Sequence, residues 1–248
     1  MPALQNRISQ ESFSYQSDDP RQRLIVALDV STAAAARKIV AAVGDSALTY
    51  KVGMQLYTAE GPQVVRDLVV SGRRVFLDLK YHDIPNTVGA AVGEAAKLGV
   101  NMLTVHAAGS VKMLSAAAEA ARSRPDLMVL AVTVLTSLDA NDMEKIGTRG
   151  SVEESVLRLA TMALSCGCQG IVTSAREAPA VRRQLGDKFA IVTPGVRPAG
   201  GELGDQVRVV TPAQAIAAGA SHIVVGRPIT EAADPAAEAR AILSQISG

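Results

Sequence analysis

Three ionisable side chains, Asp78, Lys80 and Asp83, lie within six positions of one another, directly after a short apolar run at residues 75–77. The run is typical of a buried strand. On an extended strand Asp78 and Lys80 point to the same side, and Asp83 follows where the chain turns at residues 84–86. Burying charged groups costs free energy, and core packing gives no reason for it. The pattern favours a site that holds a proton donor between two carboxylates.

The elements that must position these residues alternate strictly between strand-like and helix-like stretches. Short runs rich in β-branched residues are separated by alanine-rich stretches of helical periodicity, which argues for a parallel sheet with crossover helices. Eight such units in 248 residues match an α/β fold of the (β/α)8 TIM barrel type, in a single domain. An open doubly wound sheet is the rival, but no GxGxxG turn follows the first strand. The predicted strands are 23–29, 48–53, 74–80, 102–106, 128–135, 170–173, 190–196 and 222–226. The predicted helices are 33–43, 62–71, 88–98, 111–123, 152–165, 177–185, 212–218 and 235–245, with an extra helical turn in the long loop 137–150.

Composition narrows the class of protein and its compartment. The net charge of +1 gives no global signal for nucleic acid or an anionic membrane, and the apolar runs are shorter than the roughly 20 residues of a membrane helix. Residues 1–20 form a polar tail without the apolar core of a signal peptide, so the barrel is predicted to span residues 21–248. Cys166 and Cys168 fit neither a disulfide framework nor a CxxC motif, and no His/Cys cluster has metal-ligand spacing. We expect a cytoplasmic protein without a metal, a membrane or a nucleic-acid partner.

The loops after the last two strands carry a second chemical pattern. The carboxyl ends of the strands build the site of such a barrel, and a phosphate often binds after strands seven and eight. Each of these loops contains an arginine, Arg197 after strand seven and Arg227 after strand eight. The planar guanidinium group of an arginine suits the binding of phosphate. Gly226 lets the backbone approach an anion closely. The glycine-rich segment 199–209, which contains Gln206, is predicted to close over that phosphate as a lid.

Other polar residues at the strand ends have a structural explanation beside a functional one. Asp29 fits a helix N-cap as well as a ligand contact, and the stem of Lys51 could carry its charge out of the barrel. His106 fits a core or rim position better than a catalytic one. Ser174 suits a helix cap as easily as a ligand contact.

From about residue 23 onward, the chain closely resembles the orotidine 5′-phosphate decarboxylase family. The DxKxxD core alone is shared with related barrels that decarboxylate keto-sugar phosphates or form hexulose phosphates. Its extension through Thr87, together with Gln206 and the two arginine loops, points to the orotidylate branch. The resemblance rests on residues 28–30, 51–53, 78–87, 135–137, 194–197, 205–206 and 225–228.

The resemblance implies a homodimeric enzyme that converts orotidine 5′-phosphate to UMP without a metal or a cofactor, in de novo pyrimidine biosynthesis. Lys80 would protonate C6 of the pyrimidine, and Asp78 would lie by the substrate carboxylate. Lys51 and Asp83 would complete an alternating charge network with them. The remaining assignments are Asp29 and Lys51 to the ribose, Thr136 to the base, Gly226 and Arg227 to the phosphate, Arg197 and Gln206 to the closing loop, and Asp83, Ile84 and Thr87 to the neighbouring subunit's site.

Three alternatives stay open at this point. A Mg²⁺-dependent sugar-phosphate decarboxylase or synthase would use the same barrel. A Schiff-base aldolase would use Lys80 or Lys51, although flanking carboxylates keep a lysine protonated and so poorly nucleophilic. A non-catalytic nucleotide-binding barrel would keep both arginines but has no reason to keep Asp78, Lys80 and Asp83 together.

Overall fold

The computed structural model describes residues 19–198 and 210–247 of the chain. Its eight strands pair in parallel in sequence order and close on themselves, with β8 beside β1 and helices in the connections, which confirms the (β/α)8 TIM barrel. The strands are β1 Leu24–Ala27, β2 Thr49–Gly53, β3 Arg74–Tyr81, β4 Met102–His106, β5 Met128–Val132, β6 Gly170–Val172, β7 Ala190–Thr193 and β8 His222–Val225. The helices are α1 Pro20–Arg23, α2 Ala33–Val43, α3 Met54–Glu60, α4 Gln63–Val70, α5 Pro85–Lys97, α6 Val111–Ala121, α7 Ala140–Lys145, α8 Val152–Ser165, α9 Ala178–Leu185, α10 Pro212–Ala217, α11 Arg227–Thr230 and α12 Pro235–Ile246.

The boundaries differ from prediction mainly at the carboxyl ends of the strands. The helices α2 and α8 span the predicted residues, and α7 is the extra helix expected in the loop 137–150. Five strands, β1, β5, β6, β7 and β8, end one to three residues earlier than predicted, and the residues that follow them lead into the loops of the site. The helix α5 begins at Pro85 rather than at Val88, since proline is well suited to a first helical turn. The helix α3 was not predicted at all.

Capping residues explain where several helices begin. The Thr32 hydroxyl accepts a hydrogen bond from the Ala35 N–H at 3.2 Å and so caps α2. Asp29 is therefore not the cap of this helix, and the structural explanation for it is wrong. At α8, Ser151 and Glu154 form a reciprocal capping box.

The barrel interior is filled by side chains below its carboxyl end. One cluster of inward-facing apolar residues, among them Ile25, Phe76, Leu130 and Val192, packs inside the strands, and a larger cluster lies between the strands and helices. His222 is buried at the opposite end, where burial lowers its pKa to about 4, so its imidazole is neutral near pH 7. Every helix in the described ranges is too short or too polar to cross a bilayer.

Candidate active site

Two adjoining cavities open at the carboxyl ends of the strands. The larger, of about 480 Å³, is lined by residues of the two arginine loops, 194–197 after β7 and 226–228 after β8. The smaller, of about 160 Å³, is walled mainly by apolar side chains and includes Thr136. Both cavities are lined by Lys51 and Asp78, so these two residues lie at their junction. Of the predicted site residues, the larger cavity also brings together Asp29, Arg197, Gly226 and Arg227, and the smaller one adds Lys80.

An alternating chain of charges connects these cavities. The Lys51 Nζ lies 2.9 Å from Asp29 Oδ1 and 3.7 Å from Asp78 Oδ2. The Lys80 Nζ donates to both carboxylate oxygens of Asp78 at 2.9 Å. Lys51 and Asp78 are each only 12% exposed, and Lys80 is 25% exposed, so solvent screens these pairs less than pairs on the surface. The structural explanation for Lys51 required its ammonium group to lie outside the barrel. The ammonium group instead lies in this network of ion pairs.

The backbone conformation that brings Lys80 to Asp78 differs from the regular strand alternation used in the sequence analysis. The rule assumed a regular strand, but Lys80 has a φ of 51° and the β3–β4 register shifts between Leu77 and Tyr81. In this irregular segment the Lys80 N–H donates to Thr104 Oγ1 at 2.9 Å, and that hydroxyl donates to Asp78 Oδ1 at 3.0 Å. The expected pairing is present, but it depends on a bulge and on Thr104. Sequence reasoning missed Thr104, whose only signal was a hydroxyl within an otherwise apolar strand interior.

Asp83 does not join this network within the single chain. Its carboxylate accepts a hydrogen bond from the Ile84 N–H at 2.6 Å, and in the described residues Lys80 forms its ion pair with Asp78. Within the described chain the proton donor is therefore held by one carboxylate, Asp78, and the assignment of Asp83 to the neighbouring subunit's site stays a prediction. Asp83, Ile84 and Thr87 are all exposed, and Thr87 lies in the first turn of α5.

The two arginine loops differ in their contacts with the rest of the barrel. Arg197 is 9% exposed, and its backbone N–H donates to Val210 O at 3.0 Å, while its Nε has no hydrogen-bond partner in the part of the chain described. Arg227 follows Gly226 at the start of the short helix α11. A Cβ added at Gly226 would lie 3.5 Å from the Cβ of Ala27, so this loop packs closely on β1. Gln206 and its segment 199–209 lie outside the described residues.

The contacts of the histidines and of Ser174 agree with the structural roles expected from the sequence, a core or rim position for His106 and a helix-start position for Ser174. The rings of His82 and His106 lie 5.3 Å apart, and burial, helped by the nearby His82 and Lys80, lowers the pKa of His106. Ser174 donates to the Glu177 carboxylate and accepts the Arg176 N–H at 3.1 Å, which is a local turn at the start of α9. The described residues contain no group of three or more His, Cys, Asp or Glu side chains arranged to hold a metal ion.

The closed parallel barrel, its charge network and its two arginine loops define a barrel enzyme for a phosphorylated substrate. A model of the "Orotidine 5′-phosphate decarboxylase / HUMPS family" matches residues 22–242. The chain belongs to this family.

Relatives and solved structures agree with that assignment. Orotidine 5′-phosphate decarboxylase of Moorella thermoacetica is 51% identical over 233 residues, covering 91% of this chain and 92% of the relative. The enzyme of that name from Halorhodospira halophila is 53% identical over 226 residues, covering 91% and 96%. The crystal structure of orotidine 5′-phosphate decarboxylase from Lactobacillus acidophilus superposes with a TM-score of 0.83 at 38% identity, covering 92% of this chain and 100% of that one.

Proposed function

We propose that this chain decarboxylates orotidine 5′-phosphate to UMP, a step of de novo pyrimidine biosynthesis that belongs to the cytoplasm. One observation carries the proposal: the Asp29–Lys51–Asp78–Lys80 network lies between an apolar cavity of base size and a cavity bounded by arginine loops. Relatives about half identical to this chain carry the name of that enzyme, so the sugar-phosphate and non-catalytic alternatives are not favoured.

The two cavities suggest how the substrate lies. We place the phosphate in the larger cavity against Gly226 and Arg227, with Arg197 beside them, because guanidinium groups bind phosphate oxygens through paired hydrogen bonds. The flat pyrimidine fits the smaller apolar cavity, with Thr136 at its wall. The ribose then lies near Asp29 and Lys51. In this pose C6 and its carboxylate face Asp78 and Lys80.

Loss of CO2 from C6 needs strong charge stabilisation. The C6–carboxylate bond breaks, its electron pair stays in an sp2 orbital at C6 that no carbonyl conjugates, and CO2 leaves. The Lys80 ammonium stabilises this carbanion and then transfers a proton to C6, so that the lysine becomes a neutral amine and takes its next proton from water. At an effective dielectric near 20, one charge contact at about 4 Å contributes on the order of 4 kcal/mol.

The contacts of Asp78 support a positioning role for this carboxylate. It accepts from Lys80 through both oxygens and from Thr104 through one, and Lys51 lies on its other side. A carboxylate held by so many donors fixes the direction of the Lys80 ammonium. Repulsion of the substrate carboxylate by Asp78 is a second contribution, of the contested ground-state kind.

We further propose that the active enzyme is a homodimer in which Asp83, Ile84 and Thr87 reach the neighbouring subunit's site. Asp83 is exposed and turned to its own backbone rather than to its own Lys80. Ile84 is 66% exposed, and two more exposed apolar residues, Met54 and Val111, begin the helices after the flanking strands β2 and β4. An apolar surface at the ends of three adjacent strands suits contact with a second copy.

The reaction itself is tested by adding purified protein to orotidine 5′-phosphate in EDTA and following the loss of substrate absorbance. We expect turnover that the chelator does not change. Turnover that requires added Mg²⁺ would favour the sugar-phosphate type of chemistry. A folded protein that binds UMP but leaves the substrate intact would be a nucleotide-binding barrel, and the proposal would be wrong.

Gly53 provides a second test, because its missing side chain leaves room for the network. A Cβ added there would lie 3.1 Å from Lys51 Nζ and 3.4 Å from Asp29 Oδ1. The end of a lysine moves easily, so Gly53→Ala should fold normally while displacing the ammonium. We expect kcat/KM to fall about ten- to one-hundredfold, the usual cost of misplacing a site group.

The matched control for this variant is Gly93→Ala in α5, where an added Cβ meets nothing within 4 Å. It should leave kcat/KM unchanged and raise the free energy of unfolding by about 0.5–1 kcal/mol, because alanine is the better helix former. Steady-state kinetics and thermal unfolding of both variants decide the matter. Equal kinetics for the two variants would contradict the role given to Gly53.

A further inference from the structure

We propose that Thr104 is a positioning residue that holds Lys80 and Asp78 in their reactive arrangement. The inference deepens the proposed function and rests on it for its kinetic consequences. Thr104 does not reach the substrate cavities; it lies in β4 behind the network and is fully buried. Its action is therefore through the two residues that it contacts.

The hydroxyl of Thr104 links the backbone of one residue to the side chain of the other. It accepts a hydrogen bond from the Lys80 N–H at 2.9 Å and lies 3.0 Å from Asp78 Oδ1. A hydroxyl has a single proton, and a carboxylate can only accept, so that proton points at Asp78. The Thr104 hydroxyl therefore accepts from Lys80 and donates to Asp78. Because both hydrogen bonds use the same Oγ1 atom, this atom sets the distance between the Lys80 backbone and the Asp78 carboxylate.

The bulge in β3 explains why a side chain is needed here. Leu77 pairs with Leu103 and Tyr81 pairs with Val105, so three residues of β3 stand opposite the single residue Thr104. The Lys80 N–H consequently has no strand carbonyl opposite it, and a buried N–H without a partner is costly. The Thr104 hydroxyl takes the place of that carbonyl.

The backbone of Lys80 also needs external support. Its φ of 51° lies in the left-handed region, which is unfavourable for a residue with a side chain. Such conformations persist where the surrounding structure holds them in place, and they concentrate at functional sites. Here the Thr104 hydroxyl holds the Lys80 N–H, and the pairing of Tyr81 with Val105 holds the residue that follows Lys80. Removing the hydroxyl takes away the hydrogen bond that holds the Lys80 N–H, and the ion pair with Asp78 is then left to hold the lysine side chain alone.

The test compares Thr104→Val, which keeps the shape and removes the hydroxyl, with Thr104→Ser, which keeps the hydroxyl. We expect kcat for orotidine 5′-phosphate to fall about ten- to one-hundredfold in Thr104→Val with KM changed by less than about threefold, since the phosphate contacts are untouched. Thr104→Ser should restore kcat to within about threefold of the parent. If the valine variant does not fold, Thr104→Cys, with a weakly hydrogen-bonding thiol, replaces it and should show the same selective loss of kcat.

The control is Thr49→Val in strand β2, on the other side of β3 from β4. Thr49 is also fully buried, but its Oγ1 has no hydrogen-bond partner among the described residues. Losing that hydroxyl should leave kcat and KM as they are. Equal losses in Thr49→Val and Thr104→Val, or no loss in Thr104→Val beside an active parent, would overturn the inference.

Crystal structures of the two valine variants test the same point without relying on catalysis. In Thr104→Val we expect Lys80 to leave its left-handed conformation or its Nζ to move away from the Asp78 carboxylate, and in Thr49→Val we expect neither change. An unmoved Lys80 in Thr104→Val would sink the positioning role even if the parent protein proved inactive on orotidine 5′-phosphate. A parent that is inactive while Lys80 moves as expected would instead sink the proposed function and leave the positioning role standing.

Discussion

Replacement of Lys80 by alanine is expected to lower kcat for orotidine 5′-phosphate by at least about 10⁴-fold, because one side chain supplies both the proton and the charge stabilisation at C6. The Lys80 ammonium is partly shielded, 25% exposed, and donates to both oxygens of Asp78, so no water molecule can reproduce its position and its charge together. UMP binding should persist, since the phosphate contacts lie in the other cavity. Single-turnover kinetics and UMP titration measure the two effects separately.

Two further variants make the Lys80 result specific. Lys80→Met keeps the length of the stem and removes the charge, and it should be as inactive as Lys80→Ala. Lys38→Ala removes an exposed lysine of α2 and should behave as the parent does. Activity of Lys80→Met within tenfold of the parent would show that shape rather than charge matters, and the proposed chemistry would have to be abandoned.

The sequence alone was sufficient to predict the barrel because each of its eight units carries its own local signal. An apolar β-branched run is followed by a helical stretch in each unit, and α2 and α8, which begin with side-chain caps, were placed on their exact residues. The helix α3 escaped because it is short, starts at Gly53 without a side-chain cap, and is separated from α4 only by Gly61 and Pro62. The sequence predicts the helix 62–71 from Pro62, which suits a first helical turn, and assigns no helix to residues 54–61.

The chemistry-bearing residues were predictable by type, but their contacts were not. Asp78 and Lys80 are unusual beside an apolar strand, so the sequence marks them. Thr104 and Gly53 look ordinary along the chain. Thr104 matters because strand pairing sets it opposite the bulge, and Gly53 matters because the barrel brings Lys51 Nζ and Asp29 Oδ1 close to it. Cross-strand register is a property of the assembled barrel, and local pattern rules do not contain it.

Asp83 illustrates a different limit, because its sequence position suggests a partner for Lys80 that a single chain does not provide. The proposed dimer resolves this, and it predicts complementation between inactive chains. If each site uses Lys80 of one chain and Asp83 of the other, a hybrid of Lys80→Ala and Asp83→Ala contains one complete site. Random pairing of equal amounts makes half of the dimers hybrids, so activity should recover to about a quarter of the parent value in a twofold-symmetric dimer.

The matched control mixes Lys80→Ala with Asp78→Ala. These two residues contact each other within one chain, so every site of that hybrid lacks one of them and the mixture should stay inactive. Co-expression of differently tagged chains and an assay with orotidine 5′-phosphate measure both mixtures. After purification of the doubly tagged dimer, every dimer is a hybrid, and the expected recovery for the Asp83 pair rises to about half of the parent value. If Asp83 served the site of its own chain, the Lys80→Ala and Asp83→Ala hybrid would also carry two incomplete sites. A lack of recovery there would therefore contradict the shared site, whereas recovery confined to the Asp83 mixture is explained only by Asp83 crossing to the partner.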